Sequence, residues 1–176
     1  MHLSIRVLLH AVVLLMLCRT AAADALAGSA LAVALRPAER VVVHKAVRRM
    51  ELWRDGAVIA SYRVSLGLNA LGHKQREGDL RTPEGSYRLT RRNARSDFFL
   101  SIQVSYPDAN DIAAARRNGW SPGGLIMVHG LPNVPRQPVG YYRERDWTDG
   151  CIALANDDML EFWLLTGSDT PIEIRP

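Results

Sequence analysis

VVVHKAVRRMELWRDGAVIASYRVSLG, residues 41–67, sets the class of fold. Met50 and Leu52 sit two apart, and Ala60, Tyr62 and Val64 keep the same period, which suits half-buried strands. Asp55-Gly56 between them is a hairpin dipeptide, because both residues accept a positive φ at low cost. The segment therefore predicts short β-strands around a tight turn.

Toward the C-terminus the pattern continues. Gly72 to Asn93 is rich in Gly, Pro and charge and predicts an exposed loop, with Pro83 and Gly85 turning into a strand near Ser86. Phe98 to Pro107 predicts another strand, and Asp111 to Gly119 a short helix closed by glycine. Leu125 to Val128 is an apolar strand with His129 at its end. Gly130 to Thr148, with three prolines, predicts a long loop. CIAL (151–154) resumes as a strand, and Asn156 or Asp157 is placed to cap a helix that stops at Gly167. TPIEI (170–174) closes the chain as a strand. The sum is one mainly β domain with two short helices.

Toward the N-terminus, MHLSIR gives a basic start, Val7 to Cys18 an apolar run, and RTAAADA small residues. That is the layout of a secretory leader, expected to be cut after Ala23, and the run is shorter than the roughly 20 residues that a membrane span needs. Residues 1–23 are read as a signal peptide, 24–40 as an Ala-rich lead-in and 41–176 as the domain. The expected location is exported, periplasmic or in the cell envelope, with no stable membrane insertion after cleavage. The formal charge of +4 falls by two when Arg6 and Arg19 leave with the leader. The remaining arginines, Arg88 to Arg95 and Arg116-Arg117, suit solvated faces or an acidic polymer such as a cell wall, and nucleic acid is not an expected partner.

Losing Cys18 leaves Cys151 as the single thiol, so no intramolecular disulfide can form. It is a reactive nucleophile, an inert buried thiol or one half of an intermolecular disulfide. A nucleophilic cysteine needs a base within reach and backbone N–H groups aimed at the oxyanion formed on a carbonyl. Gly150 allows close approach of backbone to substrate, Thr148 and Asp149 make a turn, and His129 beside Gly130 ends a comparable strand. If the two strands are neighbours, imidazole and thiol meet. His44, His73 and His129 show no metal-ligand spacing, so a zinc hydrolase is disfavoured. His44 is read as structural.

His129-Gly130, then Thr148-Asp149-Gly150-Cys151-Ile152, preceded by GDLRTPEGSY (78–87) and SYP (105–107) and followed by GSDTPIEI (167–174), resemble the L,D-transpeptidase catalytic domain, or YkuD domain. The resemblance runs from about Val41 to Pro176 and implies a YkuD-type β-sandwich. It implies Cys151 as nucleophile on peptidoglycan stem tetrapeptides, His129 as base and acid, and the Gly130 carbonyl as holder of the imidazole. Gly150 and Cys151 N–H would form the oxyanion hole, and Trp147, Thr148 and Asp149 would meet substrate. A thioester carries the acyl group to a neighbouring stem amine and releases D-alanine, with no cofactor and no metal. The alternatives on the same scaffold are an L,D-carboxypeptidase or amidase; from another class, a non-catalytic wall-binding module. The chain departs from the pattern at Asp149, where many members have histidine, and at Ala153, where they have arginine. Arg81, Arg143 and Arg145 are candidates to supply that charge. Tyr87, Trp120, Tyr141, Tyr142 and Trp147 either stack on substrate or pack the edge of the fold, with packing favoured for Trp147; Trp163 is expected in the core.

Overall fold

The computed structural model describes residues 36–176; the expected leader and most of the lead-in lie outside the described residues. Strands β1 (Arg40–His44), β2 (Arg49–Arg54) and β3 (Ala57–Arg63) form the predicted meander. Val41 faces Leu52 and Val43 faces Met50 across β1 and β2, all four fully buried, so period-two alternation fixes the register. Arg54 pairs with Ala57, which makes Asp55-Gly56 a two-residue turn; both residues have positive φ, 51° and 75°.

The remaining strands are β4 (Gly85–Ser96), β5 (Phe99–Val104), β6 (Met127–His129), β7 (Ile152–Ala153) and β8 (Pro171–Arg175). They form one mixed sheet in the order β3-β2-β1-β8-β4-β5-β6-β7, with β1–β8 and β6–β7 parallel. The long β4 joins the halves: its first residues pair with β8, its later ones with β5 through two register shifts. Such irregularities bend a strand. The sheet folds over on itself, and Ser65, just past β3, bonds both ways with Ala153 of β7, at 2.9 and 2.8 Å. One apolar core holds residues of both halves, among them Leu52, Leu89, Ile102, Val128 and Ile172. Mainly β structure folded over one core is what the sequence predicts.

Short helices flank the sheet: α1 (Ala109–Arg117), α2 (Val139–Glu144) and α3 (Asn156–Leu165). Helix α1 starts with a reciprocal capping box, Asp108 accepting from the Asp111 N–H and Asp111 from the Asp108 N–H. Helix α2 lies inside the stretch expected to be loop, the third helix where two were expected. It has only six residues and no side-chain cap. It is held through Tyr142, whose buried ring places its hydroxyl to accept from the N–H of Arg136 and Gln137. The cap of α3 is also not the expected one. Ala155 is its N-cap, and Asn156 Oδ1 instead accepts from the Leu131 N–H at 2.8 Å. Met159 and Phe162 of α3 are fully buried, and a side chain of that kind contributes about 1.5–3 kcal/mol on leaving water.

Candidate active site

Parallel pairing of β6 with β7 sets Val128 beside Ile152 and His129 beside Ala153. Successive strand residues face opposite sides, so Val128 and Ile152 enter the core. His129 and Cys151, offset by two rungs on adjacent strands, therefore share the other face and line one cleft. Cys151 is half-buried; its Sγ accepts from the Met127 N–H at 3.4 Å and lies 3.7 Å from the Leu125 carbonyl. His129 is 4% exposed, with Nδ1 2.7 Å from the Gly130 oxygen. A carbonyl only accepts, so Nδ1 carries the proton and Nε2 keeps its lone pair.

Gly130 is itself fixed, its N–H shared between the Phe98 and Leu100 carbonyls. A Cβ there would stand 2.7 Å from Asn156 Oδ1 and 2.9 Å from Phe99 Cβ, so only glycine fits. The imidazole lies 4.7 Å from the Phe98 ring and edge-on to Trp147 at 5.6 Å between centroids. Burial among these rings lowers the His129 pKa to about 4, against a smaller upward pull from the Gly130 carbonyl. Burial also raises the Cys151 thiol; Asp149 adds to that, while the Met127 N–H and the Lys74 charge oppose it. The pair thus rests as neutral thiol and neutral imidazole, not as an ion pair.

The turn before Cys151 is tied down by its own atoms. Thr148 Oγ1 donates to the Cys151 carbonyl at 2.7 Å and accepts from the Gly150 N–H at 3.2 Å. Thr148, where a substrate contact was expected, is buried with its hydroxyl used within the turn, and it also lines the His129 cleft. Of the two N–H groups expected at an oxyanion hole, that of Gly150 is engaged by Thr148; that of Cys151 has no partner among the described residues. Gly150 has φ 132°, and a Cβ would meet the Arg81 carbonyl at 2.6 Å. Trp147 packs on Tyr142 and donates Nε1–H to its carbonyl at 3.1 Å, while still lining the cleft. Asp146 anchors the base of the turn, accepting from Arg48 at 2.8 Å and from the Leu66 N–H at 2.9 Å. Asp149 is exposed.

Two clefts converge on the sulfur. One, of about 670 Å³, holds His129, Met127, Trp147, Ser101 and the β4–β5 residues Asn93, Arg95, Asp97 and Phe98. The other, of about 710 Å³, holds Lys74, Glu77, Leu80, Ser121 and the Gly123-Gly124 backbone. Leu125, Asp149 and Cys151 border both. None of Arg81, Arg143 and Arg145 lines either cleft: Arg143 faces a separate cavity beside Ala153, and Arg145 lies over Tyr141. Arg95 lines the first cleft instead. It lay in a run that reads as a solvated strand face, and only the β4–β5 hairpin brings it to the site.

The other expected positions fall away from the sulfur. His44 pairs with Glu51 at 3.3 Å, as its structural reading implies. Tyr87 is buried and donates to Asp111, Trp120 lies under Arg76, and Trp163, half-buried, stacks under Arg92 at 3.8 Å. No sequence signal marked Lys45, 2% exposed, whose ammonium donates to the Gly72 and Thr82 carbonyls and to Glu84 at 2.7, 2.9 and 2.8 Å. It pins the loop that walls the second cleft. Among the described residues no group of three metal-binding side chains occurs, and no helix is long and apolar enough to cross a membrane.

A model of the L,D-transpeptidase catalytic domain matches residues 38–174. YafK of Escherichia coli (strain K12), which bears the L,D-transpeptidase name provisionally, is 33% identical over 75 residues, 42% of this chain and 28% of that protein. The cell-shape protein Pgp2 of Campylobacter jejuni superposes with a TM-score of 0.58 at 24% identity, covering 76% of this chain and 46% of Pgp2. An L,D-transpeptidase from Mycobacterium smegmatis gives 0.52 at 15% identity over 79% of this chain and 59% of its own. The last two are likenesses of fold. The chain spans less than a third of YafK and less than half of Pgp2.

Proposed function

Because the chain belongs to the L,D-transpeptidase catalytic-domain family, we propose that it is an exported cysteine acyltransferase acting on peptidoglycan stem tetrapeptides. The observation that carries the reading is His129 Nε2, left unprotonated by the Nδ1–H bond to Gly130 and sharing one cleft with the Cys151 thiol. In the reaction, Nε2 takes the thiol proton as Sγ attacks the carbonyl between the third stem residue and D-alanine. The oxyanion meets the Cys151 N–H, and the Gly150 N–H once Thr148 Oγ1 yields it. The C–N bond breaks, His129 returns the proton to the leaving amine, and D-alanine departs from a thioester. A second stem's amine then attacks, gives its proton to His129, and restores the thiol as the new amide forms.

The thioester conserves the energy of the broken amide, so ATP and metal are not required. Two clefts meeting at one sulfur suit a reaction with two peptide substrates. Residues 1–23 act as the leader, 24–40 as the lead-in and 41–176 as the catalytic domain.

The test is mass spectrometry of the purified protein with disaccharide-tetrapeptide, beside Cys151→Ala. Cross-linked dimer with free D-alanine, absent from the variant, supports transfer. Tripeptide alone makes the protein a carboxypeptidase, and no product from either protein removes the acyl-transfer reading.

A further inference from the structure

We propose that Arg95 binds the carboxylate of the amino-acid group exchanged at the thioester, so that the cleft beside His129 is a subsite for an α-amino carboxylate. The inference rests on the acyl-transfer reading. In that reaction His129 protonates the leaving amine and deprotonates the incoming one, so both groups pass through the cleft that His129 lines. The leaving group is D-alanine, whose carboxylate sits one carbon from the reacting nitrogen. A cation on this cleft is therefore positioned to meet it.

The sheet register places Arg95 there. Asn93 pairs with Ser101 and Ser101 with His129, and all three line the cleft as one row across β4, β5 and β6. Neighbouring strands are about 4.8 Å apart, so the backbones of Asn93 and His129 are on the order of 10 Å apart. Arg95 lies two residues further along β4, within the second register shift, and lines the same cleft. Its long side chain shortens the gap.

Arg95 is also chemically uncommitted. Its N–H donates to Asn93 Oδ1, but among the described residues its guanidinium has no hydrogen-bond or ion-pair partner. Lys74, the cation of the other cleft, is already bound to Asp79 at 2.8 Å. Asp97 and Asp149, the acids on the His129 cleft, repel a carboxylate, and Arg95 is the arginine that lines it. A guanidinium pairs with a carboxylate in a two-pronged geometry that fixes orientation as well as charge.

The experiment measures kcat/KM for D-alanine release from a tetrapeptide donor and D-alaninamide release from the matching amide, using wild type, Arg95→Gln and Arg95→Lys. Amidation should cost wild type about 10- to 100-fold, as expected for a charge-assisted hydrogen bond. Arg95→Gln should lose a similar factor on the acid donor and little more on the amide, and Arg95→Lys should recover part of the loss. Arg95→Gln activity within two-fold of wild type, or wild-type discrimination against the amide in Arg95→Gln, overturns the assignment while leaving acyl transfer intact. Release of neither product by folded wild type overturns acyl transfer and this assignment with it.

Discussion

Acid should destabilise the folded chain through His129 by an amount the structure sets. Burial lowers the folded pKa from 6.5 to about 4, so the unfolded chain binds the proton more readily. The neutral form is the folded one: stability is intact above pH 6.5, falls as the pH drops toward 4, and then levels off. The whole gap is worth about 3 kcal/mol, and most of it is lost by pH 4.5. Because His129 is 4% exposed, solvent screening does little to shrink that figure. His129→Asn keeps a donor near the place of Nδ1 but does not titrate. Urea unfolding followed by tryptophan fluorescence, at pH 7 and 4.5, measures both proteins. Wild type should lose about 2–3 kcal/mol more than His129→Asn, since all other titrating groups are common to both. A difference below about 0.7 kcal/mol would refute the buried neutral imidazole.

Iodoacetamide should alkylate Cys151 slowly at pH 7, at a rate that climbs through pH 9 without a low-pH plateau; Asp149→Asn should speed it about two- to three-fold at low salt, and a plateau below pH 7 would show a preformed thiolate. Gly150→Ala should cost about 2–4 kcal/mol in chemical unfolding, from the clash with the Arg81 carbonyl and a φ that only glycine holds freely; a loss under 1 kcal/mol would contradict the rigid turn. Lys45→Met should cost about 2–4 kcal/mol and increase hydrogen exchange across residues 72–84, and unchanged exchange there would mean that the lysine does not hold the loop. Phe98→Ala should admit water to the imidazole and raise the pKa of His129, read from its ring proton shifts against pH, and an unmoved titration would assign the low value to Trp147 and the strands alone.

How much of this was legible depended on the range of the interaction. The β1–β3 meander was legible because alternation and the Asp55-Gly56 turn act within a few residues. The pairing of His129 with Cys151 needed β6 and β7 to be neighbours, which the sequence left as a condition. The role of the Gly130 carbonyl came from the family pattern, and His129 Nδ1 lies 2.7 Å from it; Gly150 was read as an approach to substrate, and what stands against it is the Arg81 carbonyl. Helix α2 was hidden because a tertiary contact through Tyr142 holds it, with no periodic apolar face. Arg95 and Lys45 were hidden for opposite reasons. A strand bent by register shifts carries one to the cleft, and a fold-wide set of carbonyls and Glu84 buries the other. Asn156 reads as a helix cap in isolation, yet the Leu131 N–H competes for its side chain and takes it.

In the proposed acyl transfer, burial of His129 bears on the products as well as on the rate. Burial raises the thiol and lowers the imidazole, so it opposes moving the proton before attack. Proton transfer is therefore tied to formation of the C–S bond, when the oxyanion gains its backbone donors. The same weak base then faces the thioester. Water must lose a proton to become a competent nucleophile, and an imidazole of this strength removes it poorly. A neutral amine attacks with its own lone pair and gives up its proton only after the bond has begun to form, when it is strongly acidic. In the proposed reaction, a buried, weakly basic His129 is therefore expected to favour aminolysis over hydrolysis at the same sulfur.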